Sequence, residues 1–186
     1  QGTLRELVDF SRPANTQASL CDVRNTVEEA LSIAKYYKRR KGKRIVTRYA
    51  EGLPTVRVVH DQLVQVFLNL ILNAMDATPE GGTIAISTSL ESGRIRINVR
   101  DTGHGILESN RNSIFEPYYT TKSTGTGLGL FVCRQLLERE SNGQIDLTET
   151  GSDGTTFSVM VTGENLEDHK DIPSPTTGAN HSLSVV

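Results

Sequence analysis

Apolar residues recur at helical spacing across residues 60–77, where Leu63, Val66, Phe67, Leu70, Ile71 and Ala74 mark one broad face against a core. The same spacing at Val23, Val27, Ala30, Leu31 and Ala34 predicts a first helix over about 22–40, with the basic run 38–41 at its C-terminus before Gly42. A third helix is expected over 128–139. Elsewhere the period falls to two. Ile95, Ile97 and Val99 alternate with Arg96, Asn98 and Arg100, which predicts a strand with one buried and one wet face. Further strands are expected at 45–49, 55–59, 83–90, 145–148 and 155–162, with a hairpin turn at Ser92-Gly93.

Three stretches lack either period. Leu4, Leu7 and Val8 ahead of Pro13 read as the last turns of a helix that proline stops, so the chain is expected to be a piece of a longer parent. The Gly-rich region 101–127, with room for only a short helical turn near 109–115, is long for a loop, and such loops are usually functional or disordered. From Glu164 onward apolar residues almost vanish, and a disordered tail or linker is expected.

With 36% hydrophobic and 23% charged residues, the chain can bury a real core. Its formal net charge of -2 argues against a strongly basic nucleic-acid surface, although 38–44 is a local basic patch. Cys21 and Cys133 form no metal-like or redox spacing and read as buried thiols in a reducing compartment. No run approaches the roughly 20 apolar residues of a membrane span and no leader peptide opens the chain, so a soluble piece is expected.

Chemistry enters at three places. Asn69 and Asn73 stand four apart on one helix face, where two carbonyl oxygens can meet one ligand; solvation beside Gln62, Gln65 and Asp76 is the plainer reading. A Mg²⁺ ion, which keeps waters and phosphate oxygens beside one or two protein groups, would accept one such oxygen. Asp101-Thr102-Gly103-His104-Gly105 begins where the alternating strand ends, and its carboxylate needs donors such as the amino group of adenine; an ordinary tight turn also explains it. Gly125-Thr126-Gly127-Leu128-Gly129-Leu130 opens a helix and can free backbone N–H groups for an anion, or serve as a flexible hinge. It is neither a Walker loop nor a dinucleotide fingerprint.

In this order, Asn69 to Asn73, Asp101 to Gly105, Phe115-Glu116-Pro117-Tyr118 and Gly125 to Leu130 resemble the N, G1, F and G2 boxes of sensor histidine kinases. The match covers roughly 20–162, and 18–162 is taken as the ATP-binding domain, with 1–17 the end of a dimerisation hairpin helix and 163–186 a tail. The resemblance implies an α+β, Bergerat-type two-layer sandwich, a mixed sheet of about five strands with three helices on one face. It makes ATP and Mg²⁺ the cofactors, Asn73 the metal ligand and Asp101 the adenine reader. It assigns Asn69 a polar contact to the phosphates and a catalytic role. Gly103, Gly105 and Ile106 would shape the base pocket, and Gly125, Thr126, Gly127, Leu128, Gly129 and Leu130 would cradle the phosphates. Thr121 and Lys122 fall in the ATP lid, and Lys122 would offset γ-phosphate charge unless it is simply solvated. Phe115, Tyr118 and Tyr119 are either core aromatics under a loop or the dock of the lid.

The implied partners are the dimerisation and phosphoacceptor helices of a homodimeric parent and a cognate response regulator, with the fragment itself monomeric and cytoplasmic, no nucleic acid, and membrane anchoring of the parent left open. A nitrogen-regulator-type subfamily looks similar in Asn69 to Ala77 and in the compact lid. Two departures matter. Asp76 sits in the nucleotide site where many relatives carry a basic or aromatic residue, and none of His60, His104, His169 and His181 follows the acceptor pattern. An ATPase of the gyrase and MutL kind resembles this chain too but puts a glutamate where Asn69 stands. The same motifs also suit an anti-sigma-type serine kinase, or a pseudokinase that binds nucleotide and acts through a partner.

Overall fold

The computed structural model describes residues 17–38, 41–123, 125–140 and 143–164; the helix remnant expected at 4–13 and the tail from 165 onward lie outside them. In chain order the elements are β1 (Ser19–Cys21), α1 (Val23–Ala34), β2 (Arg44–Arg48), β3 (Val56–Val58), α2 (His60–Ala77), β4 (Thr83–Glu91), β5 (Arg94–Asp101), α3 (Gly129–Glu140), β6 (Gln144–Gly151) and β7 (Gly154–Thr162). A short 3-10 turn at Glu108–Asn110 interrupts the long segment between β5 and α3. Five strands form one mixed sheet in the order β2-β4-β5-β7-β6, parallel only between β2 and β4. This is the α+β two-layer arrangement expected.

Alternation sets the inner face of the sheet. Ile84 and Ile86 of β4, Ile95, Ile97 and Val99 of β5, and Phe157, Val159 and Val161 of β7 share it through the ladder register and are all buried. The β4–β5 hairpin turns on Ser92 and Gly93, both at positive φ (50° and 78°), the backbone a two-residue type I′ turn demands. α2 lies over β4, β5 and β7, while α1 and α3 pack against it. Hence Val64, Leu68, Leu72 and Met75 are buried beyond the face the periodicity marks. What stays half-buried is the polar stripe Gln62, Gln65, Asn69, Asn73 and Asp76, at helical spacing.

Three elements differ from expectation. α1 begins where expected, with the Asp22 side chain accepting from Asn25 N at 3.1 Å, but it stops at Ala34 rather than near residue 40. Its end tightens through Tyr36 N to Ile33 O and Tyr37 N to Ala34 O, and the Tyr37 phenol reaches across to α2; that tertiary contact, with like charges following, outweighs local helix propensity. β1, too short to show a period, pairs antiparallel with β3 in a separate two-stranded sheet. Beyond β7, Glu164 N still donates to Thr55 O at 2.7 Å and its carboxylate pairs with Arg57 at 3.1 Å, so the body runs two residues past the expected boundary at 162. Among the described residues no helix is long and apolar enough to cross a membrane.

Candidate functional site

Asp101 occupies the next inward position after Ile95, Ile97 and Val99, so the alternation that builds the core also carries a carboxylate into it. It is 3% exposed. Gly103 N donates to its Oδ1 at 2.8 Å, and Thr155 N, opposite it at the end of the β5–β7 ladder, donates at 3.3 Å. Both bonds fall on Oδ1, which leaves Oδ2 for the cleft that Asp101 lines. Burial pushes the carboxyl above the usual carboxylate range, opposed in part by those two backbone donors and by His104 and Arg100.

The cleft has a volume of about 450 Å³, within the range of small-molecule sites. Around Asp101 it is walled by His104, Ile106, Leu107, Thr155 and Phe157. Ile106 N donates to Thr150 Oγ1 at 2.7 Å, so the loop after β5 is pinned to the β6–β7 hairpin. Its glycines are also needed for packing. A β-carbon on Gly105, at φ +72°, would collide with Gly151 O, and one on Gly103 would stand 2.5 Å from Ala77 O. They let the loop close against protein backbone while Gly105 still lines the cleft.

The cleft also receives α2 and the lid. Asn73 and Asp76, three apart on α2, both meet the ammonium of Lys122: Nζ donates to Asn73 Oδ1 at 3.0 Å and to Asp76 Oδ2 at 2.8 Å. Tyr37 OH donates to Asp76 Oδ1 at 3.0 Å. Thr121, Gly125, Gly127, Gly129 and Leu130 also line it, whereas Asn69, Gly103, Thr126 and Leu128 stand outside the lining. A β-carbon on Gly129 would lie 3.9 Å from the Asn69 carboxamide, so Asn69 faces the first turn of α3. That turn opens where Val132 N donates to Leu128 O, and the Thr126 hydroxyl accepts from Leu128 N at 3.5 Å. The N–H groups of the first turn have no acceptor within the helix, which suits an anion beside Gly129.

The aromatics divide between the two readings. Phe115 is core: it meets Phe157 edge-on at 6.2 Å between centroids, under the guanidinium of Arg134 at 4.0 Å. Tyr119 is half-buried and lines the cleft. Tyr118 is 77% exposed, with φ +64°. Its contribution to the lid is backbone, because Gly127, at φ +70°, lies so close that an added β-carbon would strike the Tyr118 carbonyl.

A site with a carboxylate acceptor in an apolar recess, a wide cleft, a helix N-terminus and a cation suits an adenine nucleotide. A divalent metal ion fits the residues present, since two oxygens already converge on a positive charge. Tyr37, Thr150 and Thr155 join the site without any local pattern in the sequence to mark them. Only the ladder register and the early end of α1 bring them in.

Similar proteins point the same way. Sensor histidine kinase ZraS of Escherichia coli strain K12 is 30% identical over 156 residues, 84% of this chain and 33% of that protein. Sporulation kinase A of Bacillus subtilis strain 168 is 32% identical over 157 residues, 84% of this chain and 26% of its own length. The chain thus spans a third or less of these curated relatives. The nucleotide-free catalytic domain of histidine kinase ThkA superposes with a TM-score of 0.71 at 28% identity, covering 79% of this chain and 96% of that one. ThkA solved with response regulator protein TrrA shares the fold at a TM-score of 0.69 and 24% identity, covering 87% and 46%. The chain belongs to the histidine kinase-, DNA gyrase B- and HSP90-like ATPase family, whose model matches residues 58–164.

Proposed function

We propose that this chain is the ATP-binding catalytic part of a two-component sensor histidine kinase, which presents the γ-phosphate of Mg-ATP to a histidine on dimerisation helices of its parent. The supporting observation is the cleft itself, where Asp101 Oδ2 is left open in one recess while Asn73, Asp76, Lys122 and the start of α3 gather along the same cavity. In this reading Asp101 accepts from the adenine amino group, Ile106 covers the base, and the N–H groups at Gly129 and Leu130 meet phosphate oxygens. Asn73 holds Mg²⁺, which when bound neutralises charge on the β- and γ-phosphates. Thr121 and Lys122 close over the triphosphate.

In the transfer the acceptor imidazole nitrogen attacks the γ-phosphorus, the bond from that phosphorus to the bridging oxygen breaks, and ADP leaves. A neutral imidazole nitrogen needs no base to attack, whereas water does. Asn69, standing where a hydrolytic relative would carry a glutamate, cannot take a proton, which favours transfer over hydrolysis. A homodimeric parent would supply the acceptor helices, and a response regulator would receive the phosphate, both in the cytoplasm where ATP is available.

Labelled ATP tests this directly. The chain alone is expected to bind Mg-ATP without becoming labelled, and to label a supplied helical hairpin of its parent as an acid-labile phosphohistidine. Phosphohistidine on the chain itself, or no binding of ATP, would refute the reading.

A further inference from the structure

We propose that Asn73 Oδ1 and Asp76 Oδ2 form one cation seat, occupied by the Lys122 ammonium before nucleotide arrives, and that Asp76 is a second anchor for the divalent ion that replaces it. This rests on the nucleotide reading above but adds a ligand and an exchange to it. Both oxygens project from one turn of α2 and converge on a single positive charge, at 3.0 and 2.8 Å. The side chain of Asp76 is 6% exposed, so its charge needs a cation beside it. Tyr37 OH occupies Oδ1 at 3.0 Å, which fixes the carboxylate with Oδ2 towards the seat. Such orientation of a ligating carboxylate by an outer hydrogen bond is how metal sites are commonly preorganised.

The two cations differ in what they need. An ammonium on a flexible four-carbon stem is a strongly hydrated point charge that can leave when its segment moves. A small divalent ion takes hard oxygens, one or two carboxylates among them, and completes its shell with phosphate oxygens and water. A triphosphate entering beside the Asp76 carboxylate gains from a cation held on these two oxygens, and ammonium and metal compete for the same pair. Arrival of the metal therefore releases Lys122 towards the phosphates, and metal binding and lid position become one equilibrium.

Mn²⁺ followed by electron paramagnetic resonance on the whole chain reads this out. Without nucleotide, Lys122→Met removes the competitor and is expected to tighten Mn²⁺ binding, and adding Asp76→Asn to it should abolish the gain. With ATP present, Asp76→Asn is expected to weaken Mn²⁺ about tenfold or more, since outer partners alone are worth roughly 10–100-fold in metal affinity. Binding of ATP in the presence of a chelator should not weaken in that variant, because a repelling charge has gone. Tyr37→Phe should move Mn²⁺ affinity the same way by a smaller factor, which keeps the test open if Asp76→Asn fails to fold. Unchanged Mn²⁺ affinity in Lys122→Met, or wild-type Mn²⁺ affinity in both the Asp76 and Tyr37 variants, would overturn the proposal. The nucleotide-free arm separates its failure from that of the ATP reading.

Discussion

At position 101 the strand alternation reserves a place for a hydrocarbon and the sequence supplies a carboxylate. Two backbone donors satisfy one oxygen only, and an aspartate this buried is costly unless the other oxygen has a use. Asp101→Asn keeps an oxygen for Gly103 and Thr155 but replaces the cleft-facing acceptor by a donor. Affinity for ATP should fall by about 1–3 kcal/mol, roughly 5- to 150-fold, in a calorimetric titration; wild-type affinity would remove the adenine assignment. The raised carboxyl gives a second signature. An amino donor favours the carboxylate, so binding must release a proton wherever the raised group still holds one, and affinity should drop as pH falls through its titration. For stability the sign is opposite. The folded state holds this proton more tightly than the unfolded state, so the contribution is full below the unfolded value and is lost as pH rises through the folded one.

At the scale of elements, the lid is joined to the body where Gly127 meets Tyr118 backbone to backbone. A side chain at Gly127 is opposed twice, by a φ of +70° that costs an L-residue about 1–2 kcal/mol and by the Tyr118 carbonyl. Gly127→Ala should therefore displace the lid while leaving the sheet intact. Faster amide exchange confined to about residues 118–128, with weaker ATP binding and little change in global unfolding, is the expected result. Nothing in the glycine spacing reveals this contact, which depends on where the Phe115 region is anchored by Phe157 and Arg134. By contrast, α2 and the β4–β5 hairpin were legible because their periods run long, and β7 because glycine punctuates a β-prone run, although that strand is buried on both faces. β1, three residues long, has no period to read, and the early stop of α1 depends on Tyr37 finding Asp76, 39 residues away. Asn73 and Asp101 stand out in the sequence because their residue types are unusual for their places, Lys122 only through the family resemblance, and the fold brings all three to one cleft. The groups that hold its loops do not stand out, since Thr150 and Thr155 become partners only through the β5–β7 and β6–β7 registers.

For the whole molecule, the cleft lies where three separately built parts meet: α2, the β5–β7 end of the sheet, and the lid that runs into α3. A nucleotide seated there touches all three, so its binding energy should stabilise the cooperative fold and not one loop. At a free ATP concentration 100-fold above its dissociation constant, the native state gains about 2.7 kcal/mol. For a domain of this size that corresponds to a rise in melting temperature of roughly 5–10 °C. GTP, which presents a carbonyl oxygen where adenine has its amino group, would face Asp101 with two acceptors and should give a far smaller shift. The Asp101→Asn protein should lose most of the ATP shift and respond less differently to the two nucleotides. An equal shift with ATP and GTP in the wild type would show that the base is not read by this carboxylate, even if the triphosphate binds as described.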